Sequence, residues 1–103
     1  YVDTLGTLIQ KTRRHLKGLI LISPYFIEPN QKEPMRARMD SYGMAMRGLA
    51  EEHQAIFVDA QAAFDQAMKT LHPSALAWDR IHPGTPGHAI LARAFLSAIG
   101  YEW

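Results

Sequence analysis

An aspartate and a histidine three positions apart carry the clearest chemical signal in this 103-residue sequence. Asp79 and His82 lie in the stretch 78–84, just ahead of a predicted C-terminal helix. One turn of chain can bring the two side chains together, so that the Asp79 carboxylate accepts a hydrogen bond from Nδ1–H of His82. This bond fixes the tautomer and leaves Nε2 free to take a proton from a hydroxyl nucleophile. The pair is therefore a candidate acid and general base of a Ser-His-Asp triad.

The residue that follows the histidine supports this interpretation. Pro83 disfavours the helical conformation at His82, which keeps the imidazole at the mouth of the last helix rather than inside it. The competing interpretation is that Asp79 caps a turn and His82 is a surface histidine. An Asp-x-x-His spacing often arises by chance, and no nucleophile accompanies it here.

Two aromatic residues are candidates for substrate binding. Trp78 directly precedes the candidate acid, so its ring could line a sugar or acyl pocket, although it could equally pack at a subunit interface. Tyr25 follows the end of a predicted strand, where ligands bind in open α/β sheets, and core packing is the alternative.

The elements that must position these residues alternate between helix and strand. Apolar periodicity predicts helix, strand, helix, strand, helix, loop and helix, with the strands in the apolar runs 19–22 and 55–58. Because these runs leave no polar face, we expect helices to cover both faces of a parallel sheet.

Local signals set several boundaries in this order of elements. The second helix carries an apolar stripe that starts at Met35 and leaves Arg36 and Arg38 on the opposite side. Asp59 is the expected cap of the third helix. Residues 72–85 show no period and are predicted to form a long functional loop, after which Thr85 caps the last helix.

Two strands cannot form a complete covered sheet, which usually has about five strands. The predicted fold class is therefore α/β, as the C-terminal portion of a flavodoxin-like three-layer α/β/α domain with a parallel sheet. Residues 1–103 would be the C-terminal half of one domain, whose N-terminal half is absent from this chain. We expect the chain alone to be poorly folded and inactive, with that missing half as its partner.

Charge and composition exclude several classes of partner. Eleven Lys and Arg residues are interspersed with ten Asp and Glu residues, so no basic stripe favours nucleic acid. The longest apolar run, 19–22, is too short to span a membrane. The sequence has no cysteine, which removes thiolate metal sites and is compatible with a reducing compartment. We expect a cytoplasmic protein that forms homo-oligomers.

Several segments together resemble a known family. The motif Asp-x-x-His-Pro at 79–83, ahead of a C-terminal helix, looks like the last conserved block of the SGNH (GDSL-type) hydrolases. Beyond this block, the strings at 22–28, 40–43, 57–64 and 75–80 are similar to the carbohydrate-deacetylating branch that includes bacterial acetylxylan esterases. The likeness runs from about Leu5 to Trp103.

The resemblance implies a serine esterase that hydrolyses acetyl esters on carbohydrates such as acetylated xylo-oligosaccharides. It assigns Asp79 as the orienting acid and His82 as the general base, and it implies neither a metal nor an organic cofactor. The serines of this sequence lie outside any Gly-Asp-Ser setting, and no Gly-x-Asn-Asp block is present. The nucleophile and the oxyanion-hole residues of the family are therefore expected upstream.

Two alternatives from other classes remain open at the level of sequence. One is a non-catalytic flavodoxin-like interaction domain, in which Asp79 and His82 have no chemical role. The other is a metal-dependent hydrolase that uses His88 as a third ligand, although its offset of six residues from His82 matches no common zinc pattern.

Overall fold

The computed structural model describes residues 1–13, 15, 16 and 18–101. Its elements are α1 (Val2–Arg13), β1 (Ile20–Ile22), α2 (Pro34–Glu52), β2 (Ile56–Val58), α3 (Ala60–Ala67), α4 (Pro73–Leu76) and α5 (Thr85–Ala98). This order confirms the predicted alternation of helices and strands and adds one short helix, α4.

The two strands pair in parallel, with Leu21 opposite Phe57. A parallel pair needs a crossover connection, and α2 supplies it while packing against both strands. Helix α1 packs against α2, and the contact closes a first apolar core. The buried members of this core are Ile9, Leu21, Leu49 and Ala50.

A second apolar core lies beneath the stretch that carries the candidate dyad. Helices α3 and α4 both pack against α5, and α5 packs against β2. The buried members of this core are Ile27, Phe64, Leu76 and Ala77, and its partly buried members include Ile90 and Leu91 of α5. The strands thus contact two groups of helices, as the predicted α/β fold requires.

One face of the sheet, here called the open face, is only partly covered in this chain, because Val58 on it is buried. Ile20, Ile22 and Ile56 are all exposed, Ile22 by 46%. Because side chains alternate along a strand, these three point away from the face that carries Leu21 and Phe57. The prediction that helices cover both faces is therefore confirmed only in part for the described residues. Helix α2 covers the face of Leu21, whereas on the other face Val58 is buried and the three isoleucines stay exposed.

The start of the last helix also differs from the prediction. Gly84, and not Thr85, is the N-cap of α5, and no side chain bonds to the free N–H groups there. The Gly84 N–H donates to the carbonyl of Leu76 at 2.8 Å, so a backbone hydrogen bond joins the start of α5 to α4. The stretch 72–85 is likewise not wholly irregular, because His72 caps the single turn of α4 by accepting from the Ser74 N–H.

The face of α2 that the periodicity assigned to solvent contains a buried charge. Arg36 is 3% exposed, whereas Met35 of the predicted buried stripe is 43% exposed. The Arg36 guanidinium donates to Asp40 at 2.8 Å, to Asp65 of α3 at 2.7 Å and to the carbonyl of Glu28 at 2.7 Å. Burial of Arg36 follows because these three acceptors surround it, which helical periodicity alone does not reveal.

Replacing Arg36 by alanine should destabilise the protein by about 2 to 3 kcal/mol, because the two carboxylates and the carbonyl lose their common donor. Arg38→Ala, on an exposed position of the same helix, is the matched control and should change stability by less than about 0.5 kcal/mol. Urea unfolding of the full-length protein measures both. Equal midpoints for the two variants would contradict the role given to Arg36.

Candidate active site

The structure brings Asp79 and His82 into direct contact. Nδ1 of His82 lies 2.6 Å from Oδ2 of Asp79. The other carboxylate oxygen, Oδ1, accepts from the backbone N–H groups of Ile81 at 3.0 Å and of His82 at 2.8 Å. A single carboxylate therefore holds both the imidazole and the backbone that carries it.

These hydrogen bonds keep Asp79 ionised. The backbone N–H of His82 holds the pKa of Asp79 well below its ordinary value, and the His82 side chain and the Ile81 N–H lower it further. Because the pKa is lowered, the ionised carboxylate contributes fully to stability at every pH above its ordinary pKa. This contribution is lost only as the pH falls through the lowered pKa. Asp79 is thus an acceptor over the whole neutral and mildly acidic range.

The histidine presents its free edge to solvent. The His82 side chain is 84% exposed, and it lies two residues before the N-cap of α5. With Nδ1 bound to Asp79, Nε2 is the nitrogen that can accept a proton from an approaching hydroxyl. Trp78, which precedes Asp79, is 85% exposed and so offers a large ring surface beside the dyad.

Tyr25, in the loop that follows β1, contacts the loop that carries the dyad, and its side chain packs inside the protein. Its hydroxyl donates to the carbonyl of Ile81 at 3.2 Å, and its ring lies 4.8 Å from that of Phe64 in the second core. Burial raises the pKa of the Tyr25 hydroxyl, and the Asp79 carboxylate raises it further, so the hydroxyl stays a donor. The ring therefore has the packing role that was the alternative at the sequence level, and substrate binding by Tyr25 stays a prediction.

Two charged residues of the site escaped the sequence analysis. The Arg80 guanidinium donates to the carboxylate of Glu28 at 2.6 Å, and the Ile27 N–H donates to the carbonyl of Arg80 at 3.0 Å. Arg80 lies between the acid and the base, and Glu28 closes the segment 22–28 that carries part of the family resemblance. This ion pair could not be predicted from the sequence, because the two residues are far apart along the chain and only the fold brings their loops together.

The described residues offer no metal site at the dyad. Within 1–13, 15, 16 and 18–101, no group of three or more His, Cys, Asp and Glu side chains is placed to hold a metal ion. His88 is exposed on the first turn of α5 and does not complete a ligand set with Asp79 and His82. No described helix is both long and apolar enough to cross a membrane.

Known proteins resemble this chain over its whole length. The acetylxylan esterase of Geobacillus stearothermophilus is 53% identical over 103 residues, which are 100% of this chain and 47% of that protein. The crystal structure of this esterase superposes with a TM-score of 0.97. The chain is homologous to part of an SGNH-type acetylxylan esterase. No family model matches the sequence.

A second solved structure and a set of variants extend the comparison. An alpha/beta hydrolase from the metagenome of Lake Arreo, Spain, is 53% identical, with a TM-score of 0.95 over 97% of this chain and 46% of its own. These matches confirm the α/β fold and the family resemblance. Catalytic variants of the Geobacillus esterase replace a serine, an aspartate and a histidine by alanine. The chain spans about half the length of these relatives.

A glycine at the start of α5 sets how closely this helix approaches the dyad loop. A Cβ atom on Gly87 would lie 2.6 Å from Cβ of Pro83 and 2.7 Å from the carbonyl oxygen of Leu76. Gly87→Ala should therefore displace Pro83, and with it His82, and destabilise the protein by about 1 to 3 kcal/mol. Urea unfolding and the NMR resonances of the His82 ring in the full-length protein measure the two effects.

The control for this substitution is Gly48→Ala in α2, where a Cβ would meet no atom within 4 Å. Alanine is the better helix former, so this variant should keep or raise stability by up to about 1 kcal/mol. If Gly87→Ala behaves like Gly48→Ala and leaves the His82 ring resonances in place, the close approach does not position the dyad.

Proposed function

We propose that this chain is the part of a serine esterase that carries the acid and the base of its catalytic triad. The observation that carries the proposal is the 2.6 Å contact between Oδ2 of Asp79 and Nδ1 of His82, with Nε2 facing solvent. A neutral imidazole held in this way is a general base for a hydroxyl nucleophile.

The Geobacillus esterase supports the assignment residue by residue. Its replaced aspartate and histidine are three positions apart, the spacing of Asp79 and His82. A further variant of that esterase replaces the tryptophan directly before the aspartate, which corresponds to Trp78. Its replaced serine lies near the start of its sequence, outside the half that this chain matches. We therefore propose that the nucleophile of this protein also precedes residue 1.

The reaction follows from this division of roles. His82 Nε2 takes the proton of the serine hydroxyl as its oxygen attacks the ester carbonyl, and hydrogen-bond donors of the preceding half hold the oxyanion. The imidazolium, stabilised by the Asp79 carboxylate, then protonates the leaving alcohol. A water molecule repeats the cycle on the acyl-enzyme and releases the acid. No step of this sequence requires an organic cofactor.

The open face of the sheet supports the same division of the domain. Ile20, Ile22 and Ile56 expose apolar surface that a complete α/β domain would bury, and each buried aliphatic side chain contributes about 1.5 to 3 kcal/mol. We propose that the half of the domain that contains the serine covers this face. The acid and the base then reach the nucleophile only in the assembled domain.

For the substrate we propose acetyl groups on xylo-oligosaccharides. The Geobacillus relative is described as an acetyl-xylooligosaccharide esterase. The exposed ring of Trp78 beside the dyad is suited to stack on a sugar face, and each added acyl methylene would gain about 0.8 kcal/mol only where an apolar groove buries it. The loop 24–34 offers prolines, aromatic rings and polar groups rather than such a groove.

His82→Ala should lower kcat of the full-length protein by about 10⁴-fold or more with little change in KM, because the base acts in the transition state and not in binding. Asp79→Asn should be nearly as harmful, since the amide can no longer fix the tautomer. Steady-state hydrolysis of p-nitrophenyl acetate measures both rates. A rate close to wild type for either variant would remove that residue from the triad.

Acyl preference is tested by kcat/KM for p-nitrophenyl acetate, butyrate and octanoate, beside acetate release from an acetylated xylo-oligosaccharide. The acetate ester and the acetylated sugar should be the best substrates, because the loop 24–34 and the Trp78 loop have no long aliphatic run to bury an acyl chain. The His82→Ala variant supplies the uncatalysed background. Preference for octanoate with no acetate release from the sugar would contradict the carbohydrate assignment and leave the triad standing.

A further inference from the structure

The backbone between the acid and the base adopts a conformation that needs support. Arg80 has a φ of +70°, in the left-handed region that residues with a Cβ rarely occupy. This conformation turns the chain so that both Ile81 N–H and His82 N–H point at the carboxylate of Asp79. Because the left-handed region is unfavourable for arginine, other contacts must hold the turn.

Those contacts come from the loop that follows β1. The Ile27 N–H donates to the Arg80 carbonyl at 3.0 Å, the Tyr25 hydroxyl donates to the Ile81 carbonyl at 3.2 Å, and the Arg80 guanidinium donates to Glu28 at 2.6 Å. The first holds the carbonyl of the strained residue, and the second holds the carbonyl of the residue that follows it. The third holds the side chain of the strained residue itself.

Glu28 is itself held at two points. The Asn30 N–H donates to Oε2 of its carboxylate at 2.9 Å, and the buried guanidinium of Arg36 donates to its backbone carbonyl at 2.7 Å. The Asn30 N–H lowers the pKa of Glu28, partial burial opposes this, and Arg80 lowers it further. Glu28 and Arg80 are 21% and 32% exposed, so water screens their attraction less than that of a surface pair.

We infer that Glu28 and Arg80 are positioning residues for the Asp79–His82 dyad. Their ion pair holds the left-handed turn at Arg80, and that turn sets the direction in which His82 presents Nε2. The inference rests on the proposed function, because it gives the ion pair a role only if His82 is the general base.

This role makes a specific kinetic demand. If His82 Nε2 moves by about 1 Å, it accepts the proton of the nucleophile poorly, while substrate binding elsewhere in the site is unaffected. Loss of the ion pair should therefore lower kcat and leave KM close to wild type. A pair that only stabilises the fold would lower the amount of folded protein and leave kcat per folded molecule unchanged.

The experiment compares Glu28→Ala, Arg80→Ala and the double variant in the full-length protein, with p-nitrophenyl acetate as substrate. Each single variant should lose about 10- to 100-fold in kcat with KM unchanged. The double variant should be no slower than the slower single variant, because the two residues act through one contact. Arg80→Lys, which keeps the charge, should recover part of the rate.

A proton spectrum gives a readout that a purely structural role would not move. The proton between His82 Nδ1 and Asp79 Oδ2 lies in a short hydrogen bond and should resonate far downfield in the wild-type protein. It should shift or broaden in Glu28→Ala. Arg47→Ala is the matched control, because it breaks an ion pair of the same 2.6 Å length with Asp59, outside the dyad loop, and should change neither the signal nor kcat.

Thermal unfolding and the milder variants Glu28→Gln and Arg80→Lys keep the test decisive if an alanine variant fails to fold. Unchanged kcat per folded molecule in all variants, or strictly additive losses in the double variant, would overturn the positioning role. His82→Ala separates this failure from that of the proposed function. If His82→Ala is inactive and the Glu28 and Arg80 variants are fully active, only the inference fails; if His82→Ala stays active, the proposed function fails as well.

Discussion

The carboxylate of Asp79 organises the loop before the last helix by accepting three hydrogen bonds from Ile81 and His82. Two come from backbone N–H groups and one from the imidazole of His82, so the same group shapes the turn and fixes the ring. Its pKa is depressed by these donors, which means that the arrangement persists as long as the carboxylate is ionised. The geometry of acid and base is thus local, within four residues of chain.

The loop that carries Asp79 and His82 is held in place by residues that are distant in sequence. Beneath the loop, Leu76 and Phe64 belong to a fully buried apolar core, and α5 approaches Leu76 closely enough that Gly87 leaves no room for a Cβ. On the other side, the loop after β1 bonds to the dyad loop through Tyr25 and Glu28. Arg36 links this loop to α2 and α3. Contacts to α2 on one side and to α3, α4 and α5 on the other therefore hold the exposed imidazole of His82 in place.

Features that depend on neighbouring residues could be predicted from the sequence. The contact between Asp79 and His82 and the capping of α3 by Asp59 each follow from a spacing of three residues, and both are confirmed. Features whose partner lies elsewhere in the chain could not be predicted. The burial of Arg36 depends on Asp65, 29 positions away, and the anchoring of Arg80 depends on Glu28, 52 positions away. Helical periodicity describes one helix against an average core and carries no information about such partners.

The same distinction explains how a chain with half the length of its relatives can hold a well-formed acid and base. A dyad built within four residues needs only a base beneath it and a support beside it, and the second core and the loop after β1 provide both. A nucleophile and its oxyanion donors must instead be aligned to Nε2 of His82 across a sheet, which takes tertiary packing. The exposed isoleucines of β1 and β2 mark where such packing would form. In the proposed esterase, burying that face would also bring the serine within reach of His82, so that folding of the whole domain and assembly of the triad would be one event.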